Sequence, residues 1–370
     1  MEHTPIRVLQ IMGIVESGGV EAVIMNYYRH IDKTKVQFDF VMHKGSNPNY
    51  ISEVKSMGAK VYEVTPYTKN IIKFTYEIYK IIKEGNYQIV HSNMNSLSGF
   101  PLLAAYLAGA KVRILHNHTT DTKEEGLRTT IKRALRPFSK AFANQNWACS
   151  KLAGEWMYGK EAVEKGSVTV INNAIDLDKF VFNKDKRDEL RKELGLEGKF
   201  VVGHVGRFMK QKNHDFLIDV FAEVVKEKED AVLLLIGEGP LMELIKDKVK
   251  NLNLSNKVIF LGVRSDVADL YNVMDVFVFP SLYEGLGMVA VEAQINSLPV
   301  ICSREVPVEA KISKSISFIE LSDEIKKWIV EMDNFCNTGR FKTKEKLGRD
   351  NFDIRVESRK LEELYMRLKV

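Results

Sequence analysis

Asp275-Val276-Phe277-Val278-Phe279-Pro280-Ser281-Leu282-Tyr283-Glu284-Gly285-Leu286-Gly287-Met288-Val289-Ala290-Val291-Glu292-Ala293 is the stretch that decides the fold. Val276 to Phe279 is an unbroken apolar run, the mark of a parallel strand covered on both faces. Two glycines at Gly285 and Gly287 then open a helix from about Gly287 to Asn296. A strand, a glycine turn and a helix form half of a βαβ unit, and the same alternation recurs on either side. Downstream of Phe182 it predicts strands at Phe200–Gly206, Ala231–Ile236, Val258–Leu261 and Val300–Cys302, with helices near His214–Lys226, Gly239–Leu252 and Val267–Asn272.

Upstream, strands are expected at Arg7–Met12, Gln37–Val41, Lys60–Val64, Ile89–His91, Val112–His116, Asn146–Ala148 and Val168–Ile171. Helices fill the gaps, including Gly19–Ile31, Leu97–Ala108 and Leu127–Phe142. The chain of 370 residues exceeds what one hydrophobic core usually serves. The economical reading is α/β, with two doubly wound sheets in tandem. The first domain takes residues 1–175 plus a returning closing helix, 355–370, and the second takes 176–354.

Composition removes several classes. Apolar residues are 45% and charged residues 28%, so a disordered or fibrous chain is excluded. Cys149, Cys302 and Cys336 form no C-x-x-C pair, which fits a reducing cytoplasm rather than bridges or zinc. The smoothest apolar run, Phe100 to Ala110, is too short to span a bilayer. Ile6 to Ile14 is broken by Arg7 and Gln10 and does not read as a signal peptide, so the expected location is cytoplasmic. The net charge of +5 is uneven, with 22 basic against 15 acidic side chains in residues 1–175 and 32 against 34 beyond. A basic half points to an anionic partner. No nucleic-acid signature accompanies it, so nucleic acid is not expected.

Four places carry candidate chemistry. Gly18-Gly19 follows the first strand and reads either as a phosphate-approaching turn or as a turn needing positive φ. It lacks the G-x-G-x-x-G pattern, which disfavours a dinucleotide. Arg207 follows the strand ending at Gly206, with Lys212 five residues on. Two cations at a carboxyl-end rim can hold a diphosphate; a solvated basic loop is the blander alternative. In the deciding stretch, amides from Gly285, Leu286, Gly287, Met288 and Val289 suit phosphate or sugar oxygens. Glu284 and Glu292 frame them, the second placed for ribose hydroxyls. His116 ends a strand with His118 two residues on, and His91 with Asn93 follows another strand; His91, Asn93 and His118 are expected on the acceptor side.

Glu284 to Glu292 is an E-x7-E pair, and with it the chain resembles the retaining family 4 glycosyltransferases of the GT-B fold. Matching pieces run through most of the sequence: Gly18-Gly19-Val20-Glu21, His116-Asn117-His118, Asn173-Ala174-Ile175-Asp176, Gly206-Arg207 with Lys212, and Gly237-Glu238-Gly239-Pro240. Ser303-Arg304-Glu305-Val306-Pro307 and the closing Asn351-Phe352-Asp353-Ile354 and Leu361-Glu362-Glu363-Leu364-Tyr365 resemble the bacterial exopolysaccharide and capsule branch. The resemblance implies two Rossmann-like domains facing across a cleft, with the donor nucleotide-sugar on the second domain and the acceptor on the first. Domain closure would complete the site.

It further implies that Arg207 and Lys212 stabilise the leaving diphosphate, Glu284 the donor sugar and Glu292 the ribose. Gly18 and Gly19 would approach the donor, Val263 before Arg264 would flank the base, and His116 would contact the donor sugar. Two positions depart from the pattern: the aromatic before the second glycine is Leu286, and the glycine before the Pro-Val strand is Ser297.

The expected activity is metal-independent sugar transfer, most commonly from a UDP-sugar, to a glycan or polyprenyl-linked hydroxyl, with retention. Neither a cofactor nor a metal is expected. Asp176-Leu177-Asp178 reads as interdomain crossover rather than a metal-holding D-x-D pair. The basic amphipathic helix 127–142 (Arg128, Lys132, Arg133, Arg136, Lys140) reads as a contact for an anionic membrane surface or as a solvated face packed on its own domain. A GT-B epimerase, a non-catalytic partner subunit and a Rossmann oxidoreductase are the rival classes.

Overall fold

The computed structural model describes residues 4–16, 18–119, 127–338, 340 and 351–368, with side chains omitted at 127–129 and 336–338. It divides into unit 1, Met1–Ile175 with Asp350–Val370, and unit 2, Asp176–Arg349. Unit 1 runs β1 (Ile6–Ile11), α1 (Gly19–His30), β2 (Val36–His43), α2 (Pro48–Ser56), β3 (Val61–Val64), α3 (Ile71–Gly85), β4 (Ile89–Ser92), α4 (Gly99–Ala108), β5 (Val112–Asn117), α5 (Leu127–Phe142), β6 (Gln145–Ala148), α6 (Lys151–Tyr158), α7 (Lys160–Glu164) and β7 (Thr169–Val170). Unit 2 runs α8 (Lys184–Glu193), β8 (Phe200–Val205), α9 (His214–Glu227), β9 (Ala231–Ile236), α10 (Met242–Asn251), β10 (Val258–Phe260), α11 (Val267–Val273), β11 (Val276–Phe279), α12 (Met288–Ile295), β12 (Val300–Ser303), β13 (Ile316–Ile319) and α13 (Ile325–Thr338). The closing helix, α14 (Ile354–Arg367), belongs to unit 1.

Every pairing between strands is parallel. The seven strands of unit 1 lie in the order β3-β2-β1-β4-β5-β6-β7, and the six of unit 2 in the order β10-β9-β8-β11-β12-β13. Both are Rossmann orders in which the winding reverses once, between β1 and β4 and between β8 and β11. In such sheets ligands bind beyond the carboxyl ends of the strands at that reversal. The two reversal points therefore single out one candidate site per unit.

Burial follows the strand chemistry. All six residues of β9 and all eight of β2 are buried, as parallel strands covered on both faces require. One face of the unit 1 sheet packs α1 and α14, burying Tyr27, Tyr28, Ile354, Leu361 and Tyr365; the other packs Phe74, Ile78 and Ile82 of α3. In unit 2, Trp328, Ile329, Met332 and Phe335 of α13 join Leu217 and Phe221 of α9 in the core.

The strands and helices expected from sequence are present to within a few residues at their ends, and three elements are added: α7, β13 and α13. The helix expected from Leu97 starts as a 3₁₀ turn, Asn95–Ser98, before α4 proper. Ser297, where the resemblance anticipates glycine, sits at φ 60 just past the end of α12. That left-handed conformation explains the usual glycine, and a side chain there costs about 1–2 kcal/mol. Among the described residues no helix is long and apolar enough to cross a membrane.

Candidate active site

At the reversal point of unit 2, glycines bring three strand-end loops together. A Cβ on Gly237 (φ 128) would lie 2.3 Å from the Gly206 carbonyl oxygen, and one on Gly239 would lie 2.5 Å from that of Phe208. Only glycine permits so close a backbone approach. Backbone bonds follow: Gly206 N–H donates to Ile236 O at 2.9 Å and Phe208 N–H to Glu238 O at 2.9 Å. On the other side, Gln211 Nε2 donates to Tyr283 O at 2.9 Å and Asn213 Nδ2 to Pro280 O at 3.1 Å. The loop after β8 is thus tied to the loops after β9 and β11.

That scaffold aims the candidate side chains. Lys212 Nζ lies 2.6 Å from Glu284 Oε1, with side chains only 16% and 7% exposed, and 4.8 Å over the Phe279 ring. In a pair this dry the mutual attraction offsets the cost of leaving water, so each charge depends on the other. Arg207 is exposed just past β8 and follows Gly206, where a Cβ would lie 3.1 Å from Lys212 Cγ; no carboxylate among the described residues pairs with Arg207. The arrangement offers one held cation and one free guanidinium at a rim suited to a diphosphate.

Gly287 (φ 83) caps α12 in the left-handed conformation, where a Cβ would crowd Phe279 and Val306 at 3.1 Å. The first N–H groups of α12 have no intrahelical acceptor and face outward from its N-terminus. Leu286 is buried and serves as an anchor for this turn. Glu292, two turns on, accepts from Tyr271 Oη at 2.8 Å through Oε2. Burial pushes its carboxyl up, while the Tyr271 hydroxyl and the Lys212 charge oppose that. Val263 is 59% exposed, next to the bidentate pair of Arg264 with Asp266 at 2.8 and 2.6 Å. Asp176-Leu177-Asp178 leads into a single 3₁₀ turn, Leu177–Phe180, where unit 2 begins.

At the reversal point of unit 1 lies a cleft of about 780 Å³ lined by Gly13, Gly18, Gly19, Tyr67, Asn93 and Lys132, among others. Gly18 has φ −87, so the turn does not need positive φ. A Cβ on Gly19 would meet nothing within 4 Å, which leaves the start of α1 open to the cleft.

The three histidines depart from expectation. His116 does not stand at an open rim: it is 4% exposed, stacked between His91 (centroids 5.1 Å) and His118 (4.0 Å). Of His91, Asn93 and His118, only Asn93 lines the large cleft. His91 and His118 turn instead to the face covered by α14, where they line a cavity of about 20 Å³ with His116 and Tyr365. Burial holds His91 and His116 well below the usual histidine range and pushes His118 down to about 3, so all three are neutral near pH 7.

The basic helix is partly spoken for. Arg136 donates to the Trp156 carbonyl and lies 5.1 Å over its ring, Phe138 packs on Phe100, and Ser139 Oγ bonds Ser96 O at 2.6 Å. Ile131, Lys132 and Lys140 remain exposed, and the Arg128 side chain lies outside the described residues. Cys149 and Cys302 are buried free thiols, and the Cys336 side chain also lies outside the described residues. Sequence reading missed Tyr271 on Glu292, Phe279 under Lys212, and Gln10 and Tyr365 around His91. Nothing in local spacing links these pairs, which the fold alone brings together.

Two family models match the chain: Glycosyltransferase Family 4 over residues 17–179 and Glycosyl transferases group 1 over residues 186–319. EpsF of Bacillus subtilis (strain 168), named as a glycosyltransferase, is 34% identical over 364 residues, covering 95% of this chain and 94% of that one. The UDP-Gal:alpha-D-GlcNAc-diphosphoundecaprenol alpha-1,3-galactosyltransferase of Escherichia coli is 26% identical over 81% of this chain and 80% of its own. Among solved structures, Anabaena Alr3699/HepE in complex with UDP-glucose superposes with a TM-score of 0.80 at 19% identity, covering 98% and 99% of the two chains.

Two parallel Rossmann-type sheets with these neighbours define a GT-B enzyme that transfers sugars. The chain belongs to glycosyltransferase family 4.

Proposed function

We propose that this glycosyltransferase moves a sugar from a UDP-sugar to a hydroxyl of a lipid-linked glycan, with retention and without a metal ion. The observation that carries the reading is the buried Lys212–Glu284 pair at the β8/β11 reversal, with Arg207 exposed in the same loop after β8. UDP as the nucleotude is supported by the UDP-glucose complex of the Anabaena neighbour and the UDP-Gal donor in the name of the Escherichia coli relative; that name also supports a diphosphate-linked lipid acceptor.

In the reaction, the bond from the sugar's anomeric carbon to the diphosphate oxygen breaks, and its electron pair stays on the departing phosphate. Lys212 and Arg207 stabilise that growing charge, the task a metal performs elsewhere. Glu284 accepts hydrogen bonds from the sugar while keeping Lys212 in place. Glu292 takes the ribose hydroxyls, its carboxylate oriented by Tyr271. The acceptor hydroxyl forms the new bond on the face the phosphate leaves, and its proton passes to the phosphate oxygen. Unit 1, with the large cleft and the basic charge, holds the acceptor, and His116 offers a polar contact to the substrate.

The test is transfer to an undecaprenyl-diphosphate-linked sugar from a panel of UDP-sugars in excess EDTA, with the product anomer read by NMR. The expected result is a rate equal to that with Mg²⁺ and a product with the anomeric configuration of the donor. Strict dependence on Mg²⁺ or Mn²⁺ would reopen Asp176 and Asp178 as ligands, and an inverted product would remove the retaining mechanism.

A further inference from the structure

His91, His116 and Tyr365 form one buried hydrogen-bonded line, although they lie on two neighbouring strands and the last helix of the chain. Tyr365 Oη is 2.6 Å from His91 Nδ1, and His91 Nε2 is 3.0 Å from His116 Nδ1. The amide orientations of Asn93 and Gln10 in a second line beside it assign a donor to each bond. His118 Nε2 meets Asn93 Oδ1 at 3.0 Å, Asn93 Nδ2 donates to Gln10 Oε1 at 2.9 Å, and Gln10 Nε2 donates to Tyr365 Oη at 3.1 Å. Because the tyrosine oxygen accepts from Gln10, its own hydrogen is directed to His91 Nδ1. A neutral histidine carries one proton, so His91 then holds it on Nε2 and donates it to His116 Nδ1. His116 must in turn carry its proton on Nε2. That nitrogen is buried and has no partner among the described residues. An unpaired buried donor is destabilising, and such groups are rare outside functional sites or ordered water.

We propose that Tyr365, at the end of the closing helix, is a positioning residue that fixes His116 as an Nε2–H donor through His91, ready for one oxygen of the substrate. The adjoining cavity of about 20 Å³ has room for a single oxygen-sized group, and the twelve residues that line it include every member of the first line. Burial disfavours the charged form of all three histidines, so the two-tautomer logic holds near neutral pH. The inference rests on His116 contacting substrate, as proposed above, but its first readout does not.

The experiment is long-range ¹H–¹⁵N NMR of the histidine rings in the full-length protein, followed by kinetics. In the wild type both His91 and His116 should appear as the Nε2–H tautomer; the Nδ1–H form at His116 would mean that the line runs the other way and would overturn the proposal outright. Tyr365→Phe keeps the packed ring and removes the directing hydrogen, so His116 should become a tautomer mixture. Its kcat should fall on the order of 10–100-fold, the range for partners that orient a functional histidine, with the KM for donor nearly unchanged. A tautomer shift with unchanged kcat overturns the positioning role. His116→Ala separates the two ideas: if it too is fully active, the failure lies with His116 contacting substrate and not with the hydrogen-bonded line.

Discussion

Lys212→Ala is expected to lower sugar transfer by about 10²–10³-fold, the loss typical of removing one preorganised donor to a developing oxyanion. It should also destabilise unit 2, because the partner Glu284 is 7% exposed and would be left as a buried charge without its cation. Breaking a buried pair from one side costs about 3–5 kcal/mol. The two effects separate in a second variant. Adding Glu284→Gln removes the stranded charge, so the double variant should recover most of the thermal midpoint and none of the transfer rate. A single variant that keeps a normal rate would show that Lys212 only braces the loop.

The second large effect is loss of stability in acid. His118 is pushed down to about 3, His204 to about 4 and His214 to about 2, each chiefly by burial, and His91 and His116 are lowered in the same way. An unfolded histidine titrates near 6.5. Above that pH folded and unfolded states bind the same protons at these sites, and stability is unaffected by them. As pH falls below 6.5 the unfolded chain takes up protons that the folded chain refuses, and each histidine removes about 1.4 kcal/mol per pH unit. At pH 5 this reaches about 2 kcal/mol each for His118 in unit 1 and for His204 and His214 in unit 2, and His91 and His116 act in the same direction in unit 1. Glu292 and Glu21, both raised by burial, work in the opposite direction, but they are two carboxyls against six histidines, since burial lowers His43 of unit 1 as well. Domains are stable by about 5–15 kcal/mol, so unit 1 should melt first as pH is lowered. Calorimetric midpoints at pH 7, 6 and 5 read this directly; midpoints that stay level from pH 7 to 5 would refute it.

How much of this was legible in the sequence depends on whether the signal is local. Gly237, Gly239 and Gly287 could be found because backbone approach and left-handed turns leave glycine as a trace at fixed positions. The alternation that marks β8 to β12 likewise repeats what each parallel strand needs, apolar cover on both faces. The sequence also brought out Lys212 and Glu284, though not that they pair, since 72 residues separate them. β13 is a four-residue edge strand with a single polar residue, Ser317, too short to stand out. α13 was within reach of the same periodicity: Ile325, Trp328, Ile329, Met332 and Phe335 recur at helical spacing. The histidines show the limit most clearly. His116 was recognisable as a candidate, but its burial follows from α14 folding back to place Tyr365 on His91, a contact across 274 residues.

The central claim is that unit 2 binds a nucleoside diphosphate through its cations and Glu292, without a metal. The most direct measurement is a calorimetric titration of the full chain with UDP in EDTA, with GDP and NAD alongside, repeated on Glu292→Ala. The account predicts metal-free binding of UDP by the wild type and about 10–100-fold weaker binding by Glu292→Ala, the loss of hydrogen bonds to a charged group. Binding of NAD alone, or UDP affinity that does not change in the variant, would contradict it.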